Sequence, residues 1–254
     1  MDYPYLAQGD HLPVVGVLQK LLNRTGSSLD ADGIFGPVTR TALVAFQRAR
    51  HMPTTGVVDQ ATWTRLVSGV DLPIVDCIDV WDRALWVMEQ RDIRAVGGSP
   101  ILIGGACNGV DQIVSDICSR ARNVFLLRFH GHGAPGVASV ATGQGELDPS
   151  SQERSDITSD SRTMSVLSRL RSVFGPYGCV QFMHCETAGG QAGRRLLSRI
   201  AHAMQVPATA AIREQLGGGL NTFRFEGPTV TELPSSTLHQ WCRTRPDFLG
   251  YSVA

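Results

Sequence analysis

The sequence predicts an α/β protein in two parts: a small three-helix unit, then an α/β/α sandwich around a mostly parallel sheet. Three observations carry that expectation. A turn-then-helix pattern occurs twice within residues 33–66. Beyond residue 100, short β-prone apolar runs alternate with segments of helical spacing, as strands joined by crossover helices do. Two of those runs stop abruptly at reactive side chains: residues 124–129 lead into His130-Gly131-His132-Gly133, and residues 180–183 lead into His184-Cys185-Glu186. A hydrophobic share of 43% over 254 residues suffices to bury a core in one large or two modest domains.

Charge narrows the classes of partner. Lys and Arg number 23 and so do Asp and Glu, with no basic run, which argues against a nucleic-acid footprint or a polybasic membrane surface. The start, Met1-Asp2-Tyr3-Pro4-Tyr5, has no basic or apolar leader region, and no stretch of about 18 apolar residues occurs. Six cysteines at irregular spacing fit neither a disulfide framework nor paired zinc-knuckle ligands, so most are expected as small buried residues. No cofactor is expected.

Residues 1–69 are expected to form the helical unit. Leu12-Pro13-Val14-Val15 opens a run with helical apolar spacing behind an early proline, and residues 26–32 read as a loop. Asp32-Gly33 supplies a turn, Ile34-Phe35 a short extended anchor, and Pro37 the first turn of a second helix. Gly56-Val57-Val58-Asp59 with Thr62 then repeats the scheme of Gly33-Ile34-Phe35-Gly36 with Thr39. Residues 32–47 and 56–66 resemble, nearly position for position, the hallmark of the PG-binding-1 family of peptidoglycan-binding domains. The resemblance implies a groove between helices for the glycan–peptide polymer of the cell wall, although related units also serve as spacers or docking modules.

Residues 70–98 are read as a linker followed by an amphipathic helix around Trp81 and Trp86 that packs on the second domain. That domain, from 99 to 254, then runs strand (101–103), helix (109–122), strand (124–129), loop, helix (163–174), strand (180–183), helix (193–204) and strand (208–212). An edge strand at 222–225 and a last helix at 235–243 complete it. Between Thr142 and Arg162 the large apolar residues are Leu147 and Ile157, so that stretch is expected as a flexible loop.

A cysteine that follows an apolar strand is most often a buried core residue. Cys185 differs because the polar Glu186-Thr187-Ala188-Gly189-Gly190 after it makes an exposed turn, and the helix beyond that turn offers its positive end to a thiolate. His132 also follows a strand, as a base at a sheet edge would. Glycine at 133 lets backbone approach a substrate oxygen, and the amides of Gly133 and Cys185 are candidates for an oxyanion hole. Here the second domain resembles the caspase-like fold of the clan that includes caspases, gingipains, separase and bacterial CHAT-type domains, in which a strand ending in His-Gly precedes a strand ending in the nucleophilic Cys. The resemblance implies a cysteine endopeptidase with Cys185 as nucleophile and His132 as base, with no obligatory third acid. It also implies a protein or peptide substrate, and the first unit adds peptidoglycan as a partner in or near a bacterial envelope. Secretion and a cytoplasmic site both stay open. Glu186 and Asp148 are acids that could favour a basic residue before the scissile bond.

Rival readings remain. His130, His132 and Cys185, with His184 beside it, could ligate zinc, since His130 and His132 share a strand face if the strand continues. A papain-like cell-wall amidase would suit the first unit, but those enzymes place Cys before His. A non-catalytic module bound to peptidoglycan is the third rival.

Overall fold

In a computed structural model, which describes residues 2–103, 110–140 and 155–249, the first helix, α1, spans Pro13–Arg24 with its proline in the first turn. Helix α2 follows at Pro37–Ala49 and α3 at Gln60–Leu66, where the Asp59 side chain caps the helix by accepting from Thr62 N. The repeat read from the sequence is built on two buried glutamines. Gln19 donates to Ile34 O at 3.1 Å and Thr39 Oγ1 at 3.1 Å while accepting from Gly33 N at 3.0 Å. Gln47 does the same one repeat later, donating to Val57 O at 2.9 Å and Thr62 Oγ1 at 3.4 Å and accepting from Gly56 N at 3.0 Å. Each glutamine thus satisfies the turn ahead of the next helix. Trp63, fully buried, stacks on Tyr3 and donates to Pro4 O at 2.6 Å.

This unit is not made from the first 69 residues alone. The chain divides into Met1–Leu72 with Ser236–Ala254, and Pro73–Ser235. The last helix was expected at 235–243 in the second domain. That helix, α8 in chain order, forms at Leu238–Thr244 behind a Thr237–Gln240 capping box and belongs to the first unit. There Trp241 and Cys242 are buried, Lys20 pairs with Asp247 at 2.7 Å, and His239 pairs with Asp30 at 2.9 Å. Those pairings span more than 200 residues, which local pattern does not reveal.

The second unit carries a sheet. Its first strand, β1, is Ile74–Asp79, so the expected linker is in fact part of the sheet. Then come α4 (Arg83–Ala95), β2 (Ile101–Ile103), α5 (Val110–Arg120) and β3 (Val124–His130). A small antiparallel sheet follows, of β4 (Gly133–Ala134), β5 (Val137–Val140) and β6 (Ser155–Ile157). After it lie α6 (Ser161–Leu167) with a 3-10 turn over Ser168–Ser172, β7 (Phe174–Phe182), α7 (Gly190–Met204), β8 (Ala208–Ala211) and β9 (Thr229–Glu232). The main sheet has the order β2-β1-β3-β7-β8-β9, parallel except for β9 against β8.

Further expected elements differ: the helix expected at 163–174 is α-helical only to Leu167, and the strand expected at 180–183 already begins at Phe174. Residues 219–222 make a 3-10 turn, and the edge strand is β9 instead of 222–225. Most of the expected flexible loop, with Asp148 and Arg154, lies outside the described residues, but 155–157 pair with β5 and Arg162 sits in the first turn of α6.

Side chains alternate in direction along β3, and all seven of its residues are buried. Leu127 and Phe129 join Val180 and Phe182 of β7 and the apolar residues of α5, α6 and α7 in one core. Arg128 and His130 point the other way and are also buried, on the face where α4 brings Glu89.

Candidate active site

The site begins with a register. Phe129 of β3 pairs with Phe182 of the adjacent parallel β7, their rings stack 5.3 Å apart, and Met183 N–H donates to Phe129 O at 2.8 Å. Three positions beyond each phenylalanine stand His132 and Cys185, so both leave the sheet at its carboxyl edge, where α/β sheets bind ligands. The loops then meet. A Cβ added to Gly133 would lie 2.8 Å from Cys185 O and 2.8 Å from His184 Cβ, so only glycine lets the histidine loop lean on the cysteine turn.

Cys185 is half-buried, and the next residue, Glu186, adopts a left-handed φ of 49°, which turns the chain sharply back. Glu186 N donates to Arg213 O and Ala188 N to Ala211 O, tying the turn to the end of β8. The thiol meets the backbone of Gln215: its sulfur accepts from Gln215 N at 3.2 Å and donates to Gln215 O at 3.3 Å. Gln215 is itself fixed to Glu226, donating to its carbonyl at 3.1 Å and accepting from its amide at 2.8 Å. A loop from 213 to 226 therefore lies against the sulfur.

His132 has an exposed side chain whose Nε2 donates to Asp82 Oδ2 at 3.0 Å. His130 is separate. β3 ends at His130, and its fully buried imidazole donates from Nε2 to Asp76 Oδ1 at 2.9 Å and lies 3.5 Å from Glu89 Oε1. Asp76 also takes a bidentate pair from buried Arg128, at 2.6 and 2.9 Å. Burial alone would lower the His130 pKa, but the charge on Glu89 and the bonds to Asp76 and Glu89 outweigh it and raise it to about 9.

His184 is buried in the turn rather than in a strand, and its Nε2–H donates to Ser139 O at 3.0 Å. Desolvation, with smaller repulsion from His130 and His132, lowers its pKa to about 3. The zinc grouping does not assemble: His130 and His184 are each turned to other partners, and among the described residues no three His, Cys, Asp or Glu side chains gather as a metal site.

Helix α4, read from sequence as a packing helix only, borders the site along its length. Asp82 caps it and holds His132, Glu89 faces His130, and Asp92 Oδ2 accepts from Gly219 N at 2.6 Å and Thr222 Oγ1 at 3.2 Å. The run Gly217-Gly218-Gly219 crosses this helix with φ of 67°, 74° and 59°, a path that side chains disfavour. Sequence reasoning missed Asp82, Asp92 and Gln215. An acid ahead of a helical pattern is a visible cap signal, and three glycines are a visible loop signal, but neither says what the loop or acid touches. Glu186 sits half-buried beside the cysteine, and Asp148 lies outside the described residues.

Comparison with known proteins reaches part of the first unit. Residues 12–66 match the family model of a peptidoglycan binding domain. Comparison with curated proteins finds no match for the chain.

Proposed function

We propose that residues 73–235 act as a cysteine endopeptidase of caspase-like fold and that the first unit holds it to peptidoglycan of the cell wall. The observation that carries this reading is the pairing of Phe129 with Phe182, which delivers a His-Gly loop and a Cys turn to one sheet edge in the order that the caspase-like resemblance implies. The match of 12–66 to a peptidoglycan binding domain supports the wall partner.

In this mechanism the Cys185 thiolate attacks the scissile carbonyl carbon, and the amides of Gly133 and Cys185 receive the developing oxyanion. His132, protonated by the thiol, gives that proton to the leaving amine as the C–N bond breaks. It then takes a proton from water, which attacks the thioester and releases the acid and the free thiol. Glu186, next to the nucleophile, is the acid we assign to a basic residue before the scissile bond.

The test is a peptidyl acyloxymethyl ketone carrying a basic residue, read by mass spectrometry. Labelling should fall on Cys185, be abolished in Cys185→Ala, and drop roughly 100-fold or more in His132→Ala with folding retained, as loss of a general base predicts. A second reading, a wall-bound module without catalysis, draws on the contact of Gln215 with the thiol. Absence of labelling on folded protein would favour it and sink the peptidase.

A further inference from the structure

Asp82 divides its carboxylate between two tasks. Oδ1 accepts the amides of Ala84 at 2.9 Å and Leu85 at 3.3 Å, which caps α4, and Oδ2 lies 3.0 Å from Nε2 of His132. An ionised carboxylate only accepts, so the imidazole nitrogen facing it must carry a proton. Partial burial would raise the Asp82 pKa, yet the hydrogen bonds from His132, Leu85 and Ala84 hold it below the usual value, so the group is ionised at neutral pH. The helix cap fixes where that carboxylate stands, and His132 is too exposed for packing alone to fix its ring.

We propose that Asp82 is the positioning residue of the site: it holds His132 as the Nε2–H tautomer and leaves Nδ1 as the nitrogen that exchanges protons with the thiol and the leaving amine. The proposal rests on the reading of Cys185 and His132 as a catalytic pair. It adds a third member, on α4, to what the sequence reads as a dyad. The group that pairs with His132 is Asp82 on α4, and His184 on the turn after β7 feels its charge; beside the His132 loop, Asp79 at the end of β1 lies against Gly131 and the Cys185 carbonyl against Gly133.

Asp82→Asn separates this role from the cap. Asparagine caps helices as well as aspartate, so its carbonyl keeps Ala84 and Leu85 while its NH2 replaces Oδ2 and donates to Nε2, driving the proton to Nδ1. Long-range proton–nitrogen correlation of 15N-labelled protein at about pH 8.5 should show His132 protonated at Nε2 in the native protein and at Nδ1 in Asp82→Asn. Alkylation of Cys185 by iodoacetamide near pH 6 should slow roughly 100-fold in the variant, with α4 unchanged by circular dichroism. A tautomer mixture in the native protein, or nitrogen shifts unmoved by Asp82→Asn, would overturn the proposal. Native Cys185 that alkylates below pH 7 no faster than an ordinary exposed thiol would instead overturn the catalytic reading, while the nitrogen shifts still decide what Asp82 holds.

Discussion

At the scale of single residues, the two neighbouring histidines of β3 and its loop have opposite tasks. His130 is an internal cation that balances Asp76 and Glu89, and His132 faces solvent. A histidine whose folded pKa is raised from 6.5 to about 9 contributes stability fully below about pH 6.5 and loses it as pH rises through 9. His184, lowered to about 3, works the other way: its contribution is present above about pH 6.5 and fades as pH falls toward 3. We therefore predict a stability maximum near pH 6.5, with urea midpoints falling toward pH 9 by the equivalent of up to about 3 kcal/mol. A flat alkaline limb, or a His130 resonance that titrates near 6.5, would contradict it. The sequence displayed the His-x-His spacing plainly. What it withheld was that Asp76, 54 positions away, takes up the first of the two.

At the scale of elements, α4 determines how the site is held. Its legibility was partial: the amphipathic spacing and the acid before it were readable, but its three site-facing acids find partners 41 to 130 residues away. The same reason hid β1, where Asp76 and Asp79 interrupt an apolar run and suggest a linker until Arg128 and His130 are seen to neutralise the first. Asp92 is the acid whose removal tests the loop against the thiol. Asp92→Ala removes the acceptor for Gly219 N and Thr222 Oγ1, so residues 215–222 should exchange amide hydrogens faster and Cys185 should alkylate about fivefold faster, the ratio matching one hydrogen bond of ~1 kcal/mol. Unchanged exchange and alkylation would show that Asp92 does not hold the loop against the thiol.

At the scale of the whole molecule, the alternation of strands and helices made the second unit readable, and the internal repeat made α1, α2 and α3 readable. The extent of the first unit was not. Residues 2–72 lack the buried Trp241 and Cys242, so as a fragment they should be less stable than the same residues joined to 236–249 by a Gly/Ser linker, by on the order of 3–5 kcal/mol. Thermal melts of the two fragments decide this, and equal midpoints would mean that α8 is dispensable. The joined fragment, not 2–72, is the one to use in sedimentation with insoluble peptidoglycan.

The return of α8 to α1 also sets an order of events during synthesis. A ribosome releases α1, α2 and α3 early, but the helix that covers Gly16 and Gly33 emerges only after all of 73–235 has been made. At the usual rate of about 5–20 residues per second, that interval is roughly ten to thirty seconds. The sheet therefore has time to fold before the first unit is complete, so of these two units the one that begins first closes second.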